Sequence, residues 1–442
     1  MTAFPNPSTS TEPARPRSYS LVGLILFTFF VISFLTNILG PLIPEIIDDF
    51  GLSLTLAALL PFAFFMAYGV FSIPAGFLIE RVGEKPILIG AFGVAYVGAQ
   101  LLALFPHYLV AVGSLFLIGS GMAFLQVAVN PLLRVAGGEE HFAFNATLGQ
   151  LCFGLASFLS PLVYAYLVWN LSQPEPPESF WLALLDRVVP PELPWISLYW
   201  MLAAISLLMM GIMALVRLPR VERTVEERAG RLAIYRQLLR QPLVWLFFLG
   251  IFAYVGSEQG VANWTSEFLA RYHGYDPQTV GARAVSSFWG LMTAGTLLGL
   301  VLLKLLDSRV VLRLFTLAAL GCLTAGLLGP GPVARWAFPL IGLFASVMWP
   351  VVFSLALNSV PAHHGAFSGI LVTGIAGGAV VPLIIGVLGD LLGLRGGLCF
   401  LYLTFGYILS VSFWARPLIS NKTIWQQKSS PSPTERISAS DG

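Results

Sequence analysis

Glu258 stands in the middle of an apolar stretch, 242–270, within Tyr254-Val255-Gly256-Ser257-Glu258-Gln259-Gly260-Val261-Ala262-Asn263-Trp264. A carboxylate at that depth in a hydrocarbon slab is expensive and persists where it faces a protein-lined or watery cavity. Three chemistries are open to it. It can bind and release a coupling proton. It can, while ionised, accept hydrogen bonds from substrate hydroxyls. It can also pair with a basic residue, but no Lys or Arg lies at similar depth in any apolar stretch, which disfavours that reading. Glu258, Gln259 and Asn263 are in addition oxygen ligands of the kind a sodium ion takes. On a helix, Glu258 and Gln259 share a face with Ala262 and Asn263.

Other polar residues are embedded in apolar surroundings: Asn37, Gln126, Asn130, Gln150, Gln259 and Asn263, with Trp264, Trp289 and Trp349. Planar amides offer donor and acceptor together, and a flat aromatic face suits the C–H face of a sugar ring. The plain alternative for each amide is an interhelical hydrogen bond, worth about 0.6 kcal/mol and up to about 2 kcal/mol. The plain alternative for each Trp is packing or anchoring at the membrane interface. Asn130-Pro131 reads as structural, because the proline frees a carbonyl that the amide can satisfy. Pro161, Pro350 and Pro382 are assigned to kinks or close helix packing.

These residues need twelve elements to hold them. Apolar stretches run over 20–42, 54–79, 86–105, 109–134, 143–169, 196–217, 242–270, 279–303, 310–328, 334–358, 365–389 and 397–416. Each is near the roughly 20 residues that a spanning helix requires. Across 442 residues, 57% are hydrophobic and only 10% charged, against about 25% in a soluble domain, so the solvent must be largely lipid. The expected organisation is a tail over 1–18, a six-helix bundle over 19–217, a charged linker over 218–240, a second bundle over 241–417 and a tail over 418–442. Within 170–194, a short interfacial helix is expected over 180–189. With the N-terminus in the cytoplasm, inner segments hold 19 of the 24 Lys and Arg, which places both tails and the linker inside. The halves echo each other weakly: Ser157 to Pro161 and Gly378 to Pro382 each set a small residue four before a proline. The three cysteines lie inside apolar stretches and read as small core residues.

Between the second and third stretches lies Gly76-Phe77-Leu78-Ile79-Glu80-Arg81-Val82-Gly83-Glu84-Lys85-Pro86. It resembles the cytoplasmic loop motif of the major facilitator superfamily. Gly76 lets a neighbouring helix approach and Gly83 permits a tight turn. Glu80 and Arg81, with Lys85, suit a latch that breaks as two halves rock. Glu80 stands for the usual Asp and Glu84 for a usual basic residue. An ordinary charged turn is the alternative reading.

A second set resembles the fucose-permease-like sugar symporters within that superfamily. It comprises Gly119 to Pro131, Asn145 to Gln150, Tyr254 to Glu258, Ser286 to Gly290, Trp349 to Asn358 and Gly374 to Pro382, in family order over most of 35–392. The resemblance puts Gln126 and Gln150 on the cavity. Proton-coupled members carry an acid in the first helix where this chain has Gly40, can carry Glu where it has Gln126, and often Arg where it has Thr296.

The resemblance implies an all-α membrane protein of the major facilitator fold, with twelve transmembrane helices in two pseudo-symmetric six-helix bundles around a central cavity. It implies a multi-pass protein of the plasma (inner) membrane that carries a monosaccharide or similar polyhydroxylated solute by alternating access, coupled to protons or sodium if Glu258 binds the ion. A monomer in a lipid bilayer is expected, with no cofactor, metal centre, enzymatic activity or nucleic-acid partner. Export of amphipathic drug-like compounds, from a pocket lined by apolar and aromatic groups, is one alternative. A non-transporting sensor on the same fold is another.

Overall fold

The computed structural model describes residues 19–37, 39–137, 142–173, 179–218, 232–360 and 364–416. Both expected tails and most of the linker lie outside the described residues, as do the side chains of Glu80, Asn130 and Pro131. Twelve spans among the described residues are long and apolar enough to cross a membrane. An even number of crossings returns the chain to its starting side, here termed the terminal face; the opposite side is the distal face.

The first bundle holds α1 (Tyr19–Thr36), α2 (Leu39–Phe50), α3 (Leu54–Val82), α4 (Glu84–Leu104), α5 (Tyr108–Gly137), α6 (Phe142–Leu171), the short α7 (Phe180–Asp186) and α8 (Ser197–Leu215). Helix α9 (Leu232–Leu239) follows in the linker. The second bundle holds α10 (Pro242–His273), α11 (Ala282–Leu305), α12 (Ser308–Leu328), α13 (Gly331–Ala345), α14 (Met348–Leu357), α15 (His364–Thr373), α16 (Gly377–Leu392), α17 (Leu394–Leu398) and α18 (Phe400–Trp414). Helix α7 falls inside the expected interfacial segment and exposes Phe180 and Trp181.

Local chemistry sets the ends and the breaks. Ser53 caps α3 by accepting from the Leu56 N–H. Gly274, at φ 67, ends α10 in the left-handed conformation that glycine adopts without strain. The first span is interrupted between Thr36 and Leu39. Pro41 has no N–H to offer the Asn37 carbonyl, and its ring crowds that carbonyl, so the helix restarts just before the proline. The tenth span is interrupted between Ala345 and Met348 by the same relation between Pro350 and Ser346. In the eleventh span a short 3-10 turn, Gly374–Ala376, joins α15 to α16. Pro161 and Pro382 sit inside the continuous helices α6 and α16.

Each bundle has its own buried core, and the boundary between them is crossed from both sides, Ala379 of α16 being buried in the first core. Ile43, Ile47, Leu54, Ala57 and Ala58, from α2 and the start of α3, are buried in the second bundle's core. The bundles meet through α2 on α10, α3 on α16 and α6 on α11. Small residues allow the approach, as close packing between membrane helices requires. A Cβ added at Gly386 would lie 2.7 Å from the Leu54 carbonyl oxygen. At the distal end the Asp390 carboxylate accepts the Leu54 and Thr55 N–H groups, both at 2.8 Å, and so caps α3 from the opposite bundle. Gln278 of the second bundle donates to Glu45 of the first at 3.0 Å. The distal ends are shut.

Candidate functional site at the junction of the two bundles

Glu258 is half-buried at the middle of α10. The Tyr254 hydroxyl, one turn earlier, and the Gln259 amide are in hydrogen-bonding contact with its carboxylate. No basic side chain among the described residues pairs with it. The Tyr254 ring lies 6.1 Å from Trp349, which stacks on Phe353 at 5.8 Å. Glu258 therefore has an aromatic wall on the terminal side, contributed by α10 and α14.

The first bundle presents neutral polar groups at the same level. Asn37, at the break of the first span, donates to Ser157 on α6 at 2.9 Å. Ser157 also meets Ser33 at 2.7 Å. Tyr68 on α3 is in hydrogen-bonding contact with Thr36. Gln259 closes the circuit between bundles: a Cβ at Gly378 of α16 would lie 3.1 Å from the Gln259 Cγ and 3.2 Å from the Phe65 Cδ1 of α3.

Gly40 explains a departure noted in the sequence. A Cβ there would sit 2.4 Å from the Ala262 carbonyl oxygen of α10, one turn from Glu258. Backbone meets backbone, so the position where the resemblance places an acid has no room for a side chain while the distal ends are together.

The remaining named residues divide by surroundings. Gln126 is half-buried on α5, and Gln150 is exposed on α6. Asn263 Nδ2 and Trp289 Nε1 are buried donors without a protein partner among the described residues, so each is available to a hydroxyl or to water. Trp264 is fully buried, and its indole N–H donates to the Pro382 carbonyl at 3.2 Å; it holds α10 against α16. Lys85 reaches the Ala214 and Val216 carbonyls at 2.8 Å each, capping the end of α8 within its own bundle. Arg81 is exposed.

A junction of two helix bundles, with one unpaired acid and broken helices beside it, is the arrangement from which secondary carriers are built. Residues 25–382 match the family described as Major Facilitator Superfamily. The chain is also 31% identical over 416 residues to a glucose/galactose transporter of Brucella abortus biovar 1 (strain 9-941), covering 90% of this chain and 95% of that protein. The chain belongs to the major facilitator superfamily. Among solved superfamily structures, a variant of the E. coli fucose:proton symporter is similar, with TM-score 0.63 and 21% identity over 90% of this chain and 99% of that one. A bacterial homologue of the human lysosomal transporter Spinster, inward-facing and unoccupied, gives TM-score 0.73 at 16% identity, over 91% of this chain and 98% of that one.

The structure brings together residues to which the sequence alone assigns no role. Tyr254 was legible as the residue one turn before the acid, on its face. Ser157 and Tyr68 were not, because a lone Ser or Tyr in an apolar run carries no mark of what it will meet. Asp390 ends an apolar run and reads there as an ordinary solvated residue.

Proposed function

We propose that the protein carries a hexose across the plasma (inner) membrane in symport with a proton, by rocking of its two bundles about the Glu258 junction. The observation that carries this reading is the surroundings of Glu258: an acid where the two bundles meet, touched by a phenol and an amide and, among the described residues, by no cation. Each of those partners can donate or accept, so each can serve the carboxylate and the neutral acid alike. Loading and unloading a proton therefore leaves no polar group stranded, which a fixed Lys or Arg partner would not permit.

The neutral amides suit hydroxyls. Asn37, Gln259, Asn263, Gln126 and Gln150 form the proposed sugar-binding set, with Trp289 donating and with Trp349 and Tyr254 as the aromatic face. Trp264 is assigned to packing between α10 and α16. The terminal face is proposed as cytoplasmic, from the 19 of 24 basic residues that fall on it. The shut distal ends then make this an inward-facing state, in keeping with the likeness to the inward-facing Spinster homologue. The loop from Gly76 to Lys85 lies on the terminal face, where a latch would form as the bundles close there.

The direct test is thermal stabilisation of the purified protein by a panel of sugars. A ligand that binds the folded state raises the apparent midpoint by mass action. Glucose, galactose and fucose are expected to raise it saturably, and mannitol and amphipathic drugs to leave it unchanged. Stabilisation by the drugs alone would overturn the sugar reading.

A further inference from the structure

Away from the Glu258 junction, the seam between α6 and α11 opens sideways near the distal face into a groove with two adjoining hollows. One, of about 420 Å³, is lined by Phe158 and Leu162 of the first bundle and by Arg283, Ser287, Arg335 and Trp336 among residues of the second. The other, of about 390 Å³, shares Leu162 and Arg283 and continues past Trp169 to Gln278. Arg283 and Arg335 each lie within the first two turns of helices that begin at the distal face. Neither is ion-paired among the described residues, whereas on the same face Arg271 is paired with Glu267 and Arg395 lies over Tyr272. The guanidinium of Arg335 lies 5.7 Å from the Trp336 ring. Two cations along an apolar furrow, Arg283 where the hollows adjoin and Arg335 beyond it, flanked by exposed Trp169 and Trp336, form an amphipathic site.

We propose that this groove binds one anionic phospholipid. Its phosphate lies between Arg283 and Arg335, and an acyl chain runs along Phe158 and Leu162. Arginine suits phosphate because its planar fork donates to two oxygens at once. Asp276 and Glu45 are the acids near the other hollow. Asp276 accepts from the Gln278 and Thr279 backbone N–H groups and the Thr279 hydroxyl, and Glu45 from the Gln278 side-chain amide. They place the phosphate at the Arg335 end. Both bundles build the groove, so the lipid is bound while α6 and α11 lie together, and it favours that arrangement. The ordinary behaviour of an arginine at a membrane helix end is to reach towards any headgroup, without a shared cavity or selectivity.

The full-length protein in detergent is supplemented with phosphatidylglycerol or, at equal mole fraction, phosphatidylcholine, and its melting midpoint is followed. Retained lipid is counted in parallel by native mass spectrometry. The expected result is a saturable rise in midpoint with phosphatidylglycerol alone and one retained molecule. Both signals are reduced in Arg283→Gln or Arg335→Gln and lost in the double variant. The retained-lipid count decides the matter even if the double variant melts earlier. An equal effect of phosphatidylcholine, an undiminished count in the double variant, or reproduction of the midpoint rise by inorganic phosphate alone would overturn the proposal.

Discussion

The inner faces of the two bundles meet at the same depth with different chemistry. The first bundle offers Asn37, Ser33, Ser157, Thr36 and Tyr68, tied to one another by hydrogen bonds, and a glycine where its backbone touches α10. The second offers Glu258, with Tyr254 and Gln259, among the described residues, in hydrogen-bonding contact. One face is neutral and mutually satisfied; the other holds a single ionisable group and adaptable partners. At this depth the ionisable group is thus separated from the hydrogen-bonded hydroxyls and amide of the other face, the former on the second bundle and the latter on the first. The Gly40 contact gives a steric reason for the separation, because an acid on the first bundle would stand in the path of distal closure.

Making the faces alike is expected to have the largest effect. Gly40→Asp drives a side chain into the Ala262 carbonyl. Overpacking of that kind costs about 1–3 kcal/mol, roughly a 5- to 150-fold shift in a two-state balance. Transport should fall by that order, and labelling of an Ala58→Cys probe at the distal seam should accelerate, in a background where Cys152, Cys322 and Cys399 are Ser. Unchanged labelling would show that Gly40 plays no part in closure.

Cutting the second bundle's other reach into the first comes next. Asp390→Asn weakens the two charge-assisted bonds that cap α3. A loss of about 1–2 kcal/mol is expected, a factor of roughly 5–30 in population. The same Ala58→Cys probe should label faster, without loss of sugar-induced stabilisation. If labelling slows, the cap is not what holds the distal ends together.

The smallest effect is expected within the neutral face. Ser157→Ala removes the partner of Asn37 and Ser33. Bonds of this kind are worth about 0.6 kcal/mol, up to about 2 kcal/mol. The melting midpoint should drop slightly while transport rate stays within a few-fold. A complete loss of transport would move Ser157 into the solute site.

The spans and their order were legible because lipid demands long apolar runs, and because a carboxyl inside one of them cannot be accidental. The break at Thr36–Leu39 follows from Pro41, and that between Ala345 and Met348 from Pro350, by the same carbonyl clash. The first span nevertheless runs to Phe50, beyond the expected 42: the helix continues past its apolar run, where Glu45 accepts from Gln278 and Asp49 from the Trp195 indole. Trp264 and Trp289 looked equivalent in sequence. The structure gives the first a carbonyl partner across the helix interface and leaves the second's N–H without one. Such differences depend on which helix lies opposite, which no single apolar run can encode. The same holds for Asp390, whose partners lie 336 and 335 residues away along the chain.

Proton-driven accumulation tests the central claim most directly. Radiolabelled galactose uptake is followed in proteoliposomes with an imposed inward proton gradient, for the wild-type protein and for Glu258→Gln, with sugar exchange at zero gradient as the reference. The wild-type protein is expected to accumulate galactose transiently above equilibrium. Glu258→Gln is expected to exchange sugar yet never to exceed equilibrium. Accumulation by Glu258→Gln equal to that of the wild type would contradict the assignment of coupling to this carboxyl.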